Sequence, residues 1–195
     1  MAYKFSILWN TVGLVVLNAT TATAANYYVA TDGDDANPGT AAEPVRTLQS
    51  AADRVSPGDT VIVADGVYTD PDGDGYVLIL RRGGTADAPI TFRSENRWGA
   101  VIDGEDNRSD YCIATGESAN HLNVDGFEIR GCAYVGFHNN AGYVGAGNFI
   151  TLSNNHFHHI GRRRTDTIYG QGGIFSGRDT HDLVIENNLF TTSGD

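Results

Sequence analysis

The chain has 195 residues, with 24 acidic side chains against 13 basic ones and a formal net charge of −11. That balance excludes the basic footprint of a nucleic-acid binder and disfavours an anionic membrane surface as partner. Lys4 is the only lysine, so beyond position 25 the arginines alone face 24 acids, and an acidic polymer can be held only by a local arginine cluster or through a cation.

The N-terminus reads as an export signal over residues 1–25. Lys4 supplies the positive charge, Phe5 to Leu17 is mostly apolar but too short to span a bilayer, and Ala22-Thr23-Ala24 has the small-x-small form of a cleavage site. Cleavage near Ala24 or Ala25, secretion to the exterior or periplasm, no membrane insertion and one domain over 26–195 are the expectations. After Tyr27 to Thr40, the segment Pro44-Val-Arg-Thr47-Leu48 opens a short amphipathic helix of two turns. Thr47 stands as its cap, Leu48, Ala51, Ala52 and Val55 form its apolar face, and Pro57-Gly58 stops it. Asp59 to Val67 follows as a first short strand unit. In Asp70-Pro-Asp72-Gly-Asp74-Gly75, three carboxylates alternate before a tight turn, the way oxygen ligands wrap Ca²⁺. Arg81 stands where an EF-hand places its bidentate Glu, and acidic Asp-Gly turns also form without metal, so a structural ion is the better expectation. Cys112 and Cys132 are the only cysteines; export permits a bridge between them, whose loop of about 20 residues corresponds to ~3 kcal/mol in the chain-entropy account.

The rest of the chain is organised by a repeat. Asn148 to Gly161 returns as His181 to Gly194, with Ile150, Leu152, Asn154, Asn155, Phe157 and Gly161 falling on Leu183, Ile185, Asn187, Asn188, Phe190 and Gly194. Fainter copies begin at Val61, Ile90 and Leu122, so the starts of successive units are evenly spread, at a period typical of solenoids. Each is a short alternating strand with one face to bury, which stacking on its neighbours satisfies. Gly136 to His138 and Gly173 to Gly177 read as second strands of such coils. The pattern resembles right-handed parallel β-helix proteins, and the opening Tyr27-Tyr28-Val29-Ala30-Thr31-Asp32-Gly33 through Ala52 resembles polysaccharide lyase families nine and six. The resemblance implies an all-β solenoid with a capping helix, an asparagine ladder at 154/155 over 187/188, and an aromatic stack of Phe157 on Phe190. The last visible unit has no closing cap, so the expectation is that the solenoid continues past Asp195 or that something else covers its end.

The segment with most chemistry lies between the last two units: His156, His158, His159, Arg162, Arg163, Arg164, Asp166 and Tyr169. Residues 156 and 158 share one side of an extended chain, and three arginines can pair bidentately with uronate carboxylates. The bland alternatives are ordinary turn histidines and a solvated arginine loop. The resemblance implies β-elimination on an acidic polysaccharide with Ca²⁺ assistance. Its members commonly use a lysine base, which this chain lacks, leaving His158 or Tyr169 as base, with Arg163 in a catalytic role and Arg162, Arg163 and Arg164 holding substrate. Two other readings stay open: a glycoside hydrolase, for which Asp179, Asp182 and Glu186 are available, and a non-catalytic glycan-binding surface protein.

Overall fold

The computed structural model describes residues 23–140, 146–161, 172–178 and 180–192. The expected export signal therefore lies almost wholly outside the described residues. Three parallel sheets stack along one axis. Sheet A holds β1 (Asn26–Val29), β2 (Thr60–Val63), β5 (Ile90–Ser94), β8 (Leu122–Asp125), β11 (Ile150–Ser153) and β14 (Leu183–Glu186). Sheet B holds β3 (Gly66–Tyr68), β6 (Ala100–Asp103), β9 (Glu128–Arg130), β12 (His156–His158) and β15 (Leu189–Thr191). Sheet C holds β4 (Tyr76–Leu80), β7 (Tyr111–Thr115), β10 (Val135–Asn139) and β13 (Gly172–Ser176). The chain visits A, B and C in turn, so each coil adds one strand to each sheet, and the architecture is a parallel β-helix.

Alternation explains the interior. Inward residues repeat in register, as in Phe92, Val124 and Leu152 of sheet A and Ile102, Ile129 and Phe157 of sheet B, all buried. Leu78, Ile113 and Phe137 do the same from sheet C. Outward residues of β8, β9, β11 and β12 are polar. Phe157 and Phe190 stack at 5.1 Å with planes 8° apart. On the last coil Ile185 and Phe190 are 47% and 51% exposed, so the inner ladders end on an open apolar face among the described residues.

Three details differ from the expectations. The first coil pairs Val61 with Phe92, so the residue in register with Ile90 is Asp59, and a buried carboxylate fills a position that later coils give to an apolar side chain. Asp59 accepts from the Ala25 and Ser56 amides, which satisfies it. Second, Asn26–Val29 is itself a strand, paired with β2. Third, the helix α1 is shorter than two turns, spanning Leu48–Ala52, with the Thr47 hydroxyl accepting from the Ser50 amide. Leu48, Ala51 and Ala52 are buried, and Gln49 finishes the edge of sheet C like a strand: its Oε1 accepts from Ile79 N at 2.9 Å and its Nε2 donates to Ile79 O at 3.2 Å.

The corners follow two rules. From the third coil on, a pair of residues connects sheet A to sheet B: Gly126-Phe127, Asn154-Asn155 and Asn187-Asn188. The first of each pair has φ of 77°, 57° and 55°, a left-handed conformation that glycine and asparagine tolerate. Asn155 is fully buried; its Oδ1 accepts from Phe127 N and its Nδ2 donates to Val124 O, both at 2.9 Å, while Asn188 repeats the second bond to Leu152 O. The connections from sheet B to sheet C vary instead: in successive coils they run over 69–75, 104–110, 131–134 and 159–171. A disulfide joins Cys112 on β7 to Cys132 in the next coil, their Cα atoms 5.6 Å apart.

Candidate functional site

Because β9 and β12 are in register, their outward residues form two polar rows. Glu128 lies beside His156, and Asp103, Arg130 and His158 lie side by side. The contacts are direct. Arg130 Nε donates to Asp103 Oδ2 at 2.9 Å and its NH1 to Glu128 Oε1 at 2.8 Å. His158 Nε2 lies 3.0 Å from the same Glu128 Oε1, and His158 Nδ1 lies 2.5 Å from His159 Nδ1. Burial pulls the Arg130 guanidinium down, but its bonds to Asp103 and the charge of Glu128 outweigh this and hold it above its ordinary value. Arg130 therefore stays charged at every accessible pH. With His158 Nε2–H donating to the Glu128 carboxylate, Nδ1 carries the lone pair, which is the arrangement a general base needs.

The other half of this face is aromatic. The rings of His156 and His158 are 4.4 Å apart, and Trp98 lies 5.1 Å from His156. Trp98 occupies the left-handed region at φ 64°, its Nε1 donates to Asn154 O, and the Arg97 guanidinium sits 4.5 Å over its ring. Desolvation first, then the neighbouring His158, lowers the pKa of His156 and favours its neutral form. Asp103, Glu105, Asp106, Arg130, His158 and His159 line a cavity of about 410 Å³. Its acidic wall is a turn in which Glu105, Asp106 and Asn107 are all left-handed, at φ 52°, 55° and 76°. Such backbone costs roughly 1–3 kcal/mol per residue and is commonly retained where a site needs its shape.

Two further cavities continue the line. One of about 270 Å³ shares His158 and His159 and extends over Phe190 and Thr191; another, of about 450 Å³, is lined by Val67, Tyr68 and Thr69 at the first coil. All three lie along the outer side of sheet B and its connections to sheet C, from β3 to β15. Four rung spacings at ~4.8 Å make this groove roughly 19 Å long.

The predicted residues divide by location. His158 lies in the groove. Arg162, Arg163, Arg164, Asp166 and Tyr169 fall outside the described residues, in the connection between β12 and β13 that begins at His159. Asp182 bonds the exposed His181 at 2.6 Å, and Glu186 stands on sheet A, so neither faces the groove; Asp179 lies outside the described residues. Asp70, Asp72 and Asp74 converge in the connection of the first coil, with ligand atoms within 4.8 Å of one another. Burial pushes the Asp70 carboxyl up, but the Gly75, Gly73 and Asp72 amides donating to it prevail and hold it below the ordinary carboxylate range. Asp74 goes the other way, raised by burial and by the like charges of Asp72 and Asp70. An all-oxygen donor set with crowded negative charge fits a hard cation. It lies three rungs, ~14 Å, from His158.

Sequence reading passed over Asp103, Glu128, Arg130 and Trp98. The available signal was the offset from Leu122 to Ile150, which, carried forward along both units, puts Glu128 under His156 and Arg130 under His158.

The comparisons agree with this architecture. A family model described as the Pel9A-like, right-handed β-helix region matches residues 27–192. Pectate lyase PEL9 of Emericella nidulans is 34% identical over 83 residues, covering 43% of this chain and 19% of that protein. Pectate lyase L of Dickeya dadantii is 28% identical over 155 residues, covering 77% and 35%. The crystal structure of pectate lyase Pel9A superposes with a TM-score of 0.57 at 25% identity, over 71% of this chain and 34% of that one. The chain thus spans about a fifth to a third of the length of these relatives, and it belongs to the Pel9A-like right-handed β-helix family of polysaccharide lyase relatives.

Proposed function

We propose that the protein is an exported polysaccharide lyase that cleaves a uronate-containing polymer by β-elimination in the groove along sheet B. The observation that carries this is the groove's form: an open channel crossing all five rungs, with a carboxylate-held imidazole in its floor. An open channel admits the middle of a polymer, whereas a closed pocket takes an end.

In the proposed reaction His158 Nδ1 removes the proton from C5 of a uronate. The C5–H electron pair forms the C4=C5 double bond, the C4–O bond breaks, and the departing oxygen collects a proton. Glu128 fixes the imidazole and stabilises the imidazolium that forms. His159 Nδ1 occupies the place the reacting carbon takes, so substrate displaces the contact between the two histidines. The carboxylate must be neutralised for C5–H to become acidic. Arg130 already serves two carboxylates, and that task falls to Arg162, Arg163 or Arg164, with Tyr169 as the donor to the leaving oxygen. Asp70, Asp72 and Asp74 would hold Ca²⁺; bound there, it neutralises the crowded carboxylates and stiffens the first coil, and at ~14 Å it does not touch the sugar at His158.

The test is incubation with polygalacturonate and with alginate, following the ultraviolet absorbance of unsaturated products. Product formed by wild type and lost in His158→Ala supports the reading. Full activity in His158→Ala removes the assigned base; retention of polymer without cleavage by the wild type favours the glycan-binding alternative.

A further inference from the structure

We infer that the cavity at the first coil is a distal uronate subsite, anchored by Arg46, which grips the polymer three rungs away from His158. This inference rests on the proposed acidic polymer as ligand. The cavity measures about 450 Å³ and combines a cation, hydroxyls and an apolar floor: Arg46, Thr31, Thr47, Thr69, Val67 and Pro71 line it. Val67, 50% exposed on the outer face of sheet B, belongs to the same outward row as Val101, Glu128 and His156, so a polymer lying along the groove reaches it without bending.

Arg46 is the decisive group. Its Nε donates to Gly33 O at 2.9 Å, which fixes the guanidinium, and among the described residues its two terminal amines have no partner. Other arginines are engaged: Arg54 with the carbonyls of Asn37 and Asp35, Arg108 with Glu105, Arg130 with Asp103 and Glu128, and Arg97 over Trp98. Asp35 also lines the cavity, but it does not neutralise Arg46. Its Oδ1 accepts from the Arg46 and Thr47 amides and its Oδ2 from the Thr47 hydroxyl. Burial raises the Asp35 carboxyl and these bonds more than reverse it, so it remains a buttress of the turn. Tyr68, also in the lining, turns its hydroxyl away to donate to Ala64 O at 2.9 Å; Asp32, Asp65 and Glu95, the charges that act on that hydroxyl, do not line the cavity. A fixed guanidinium with two amines on one side suits a planar carboxylate, and threonine hydroxyls beside an apolar floor suit the polar rim and C–H face of a sugar ring. In a chain of net charge −11, an arginine left without a carboxylate partner is where a uronate gains most.

The distance sets the readout. A ligand must cover ~14 Å to touch both Arg46 and His158, so long chains gain from the subsite and short ones do not. The experiment is isothermal titration of oligogalacturonates of three and eight units into the intact protein, into Arg46→Gln, and into Val67→Glu. The second variant adds a repelling charge at an exposed position and leaves the Gly33 contact in place. Wild type is expected to prefer the octamer, and both variants to lose about tenfold of that preference, the scale of one charge-assisted contact. Octamer affinity unchanged in both variants overturns the subsite while leaving the groove reading intact. Absence of binding by wild type at either length overturns both.

Discussion

Replacing Asn155 by alanine tests what holds the coils in register. Its side chain is fully buried and bridges two backbone groups of the previous coil, accepting from Phe127 N and donating to Val124 O at 2.9 Å each. Alanine leaves both groups in an apolar interior too small to admit a replacement partner. At roughly 1–3 kcal/mol for each orphaned group, the loss is about 2–5 kcal/mol, a large share of a domain's typical stability. Asn188→Ala removes the equivalent bond to Leu152 O at a partly exposed coil where water can substitute, so about 1 kcal/mol is expected there. Asn155→Asp keeps the acceptor for Phe127 but sets a carboxylate oxygen against Val124 O; its penalty shrinks as pH falls, because the protonated acid can donate to that carbonyl. Urea unfolding followed by far-ultraviolet circular dichroism, with unchanged slope, measures all three. A cost below ~1 kcal/mol for Asn155→Ala, or equal costs at 155 and 188, would refute the account of the ladder.

Other outcomes follow from the same geometry. His158→Ala is expected to lower kcat/KM on polygalacturonate by about 100-fold or more, the usual range for a lost general base, and Glu128→Gln by less. Calcium at about 100 times its dissociation constant should stabilise the wild type by about 2.7 kcal/mol in thermal unfolding, and Asp72→Asn should abolish that gain; equal stabilisation of the variant would place the ion elsewhere. Reduction of the Cys112–Cys132 bridge should cost ~3 kcal/mol, measured by denaturant midpoint with and without dithiothreitol. The Asp70 carboxyl is held below its ordinary value, so its contribution is present above about pH 4 and lost as pH falls through the lowered folded value. Asp70→Asn should therefore be less sensitive than wild type to acid below about pH 4, and an unchanged acid midpoint would contradict the assignment.

What could be read from residues alone was decided by strand length and by register. β8, β11 and β14 alternate cleanly, and Leu122, Ile150 and Leu183 open them at equivalent positions, so the solenoid was legible there. The short strands of sheet B carry too brief a pattern to show a period, and the first coil was misaligned because Asp59 occupies a position where later coils have Ile or Leu. β1 was hidden for another reason: its partner β2 lies on the far side of the capping helix in sequence. The same logic governs the site. His158 stood out because it neighbours other histidines in sequence, whereas Glu128 and Arg130 reach it only through inter-coil pairing, and Arg46 approaches the groove only because the opening segment folds back beside β3.

The contrast between constant and variable corners bears on how such a scaffold diversifies. The tight turns from sheet A to sheet B fix the pitch of every ladder, so one inserted residue there would rotate a strand and turn its buried row outward. The connections from sheet B to sheet C already differ severalfold in length, from the short 131–134 to the long 159–171, without disturbing the stack. Length changes are thus tolerated along one edge alone, and that edge borders the groove. A lineage, or a protein engineer, can lengthen those segments to reshape ligand contacts coil by coil while the framework that presents them stays unaltered.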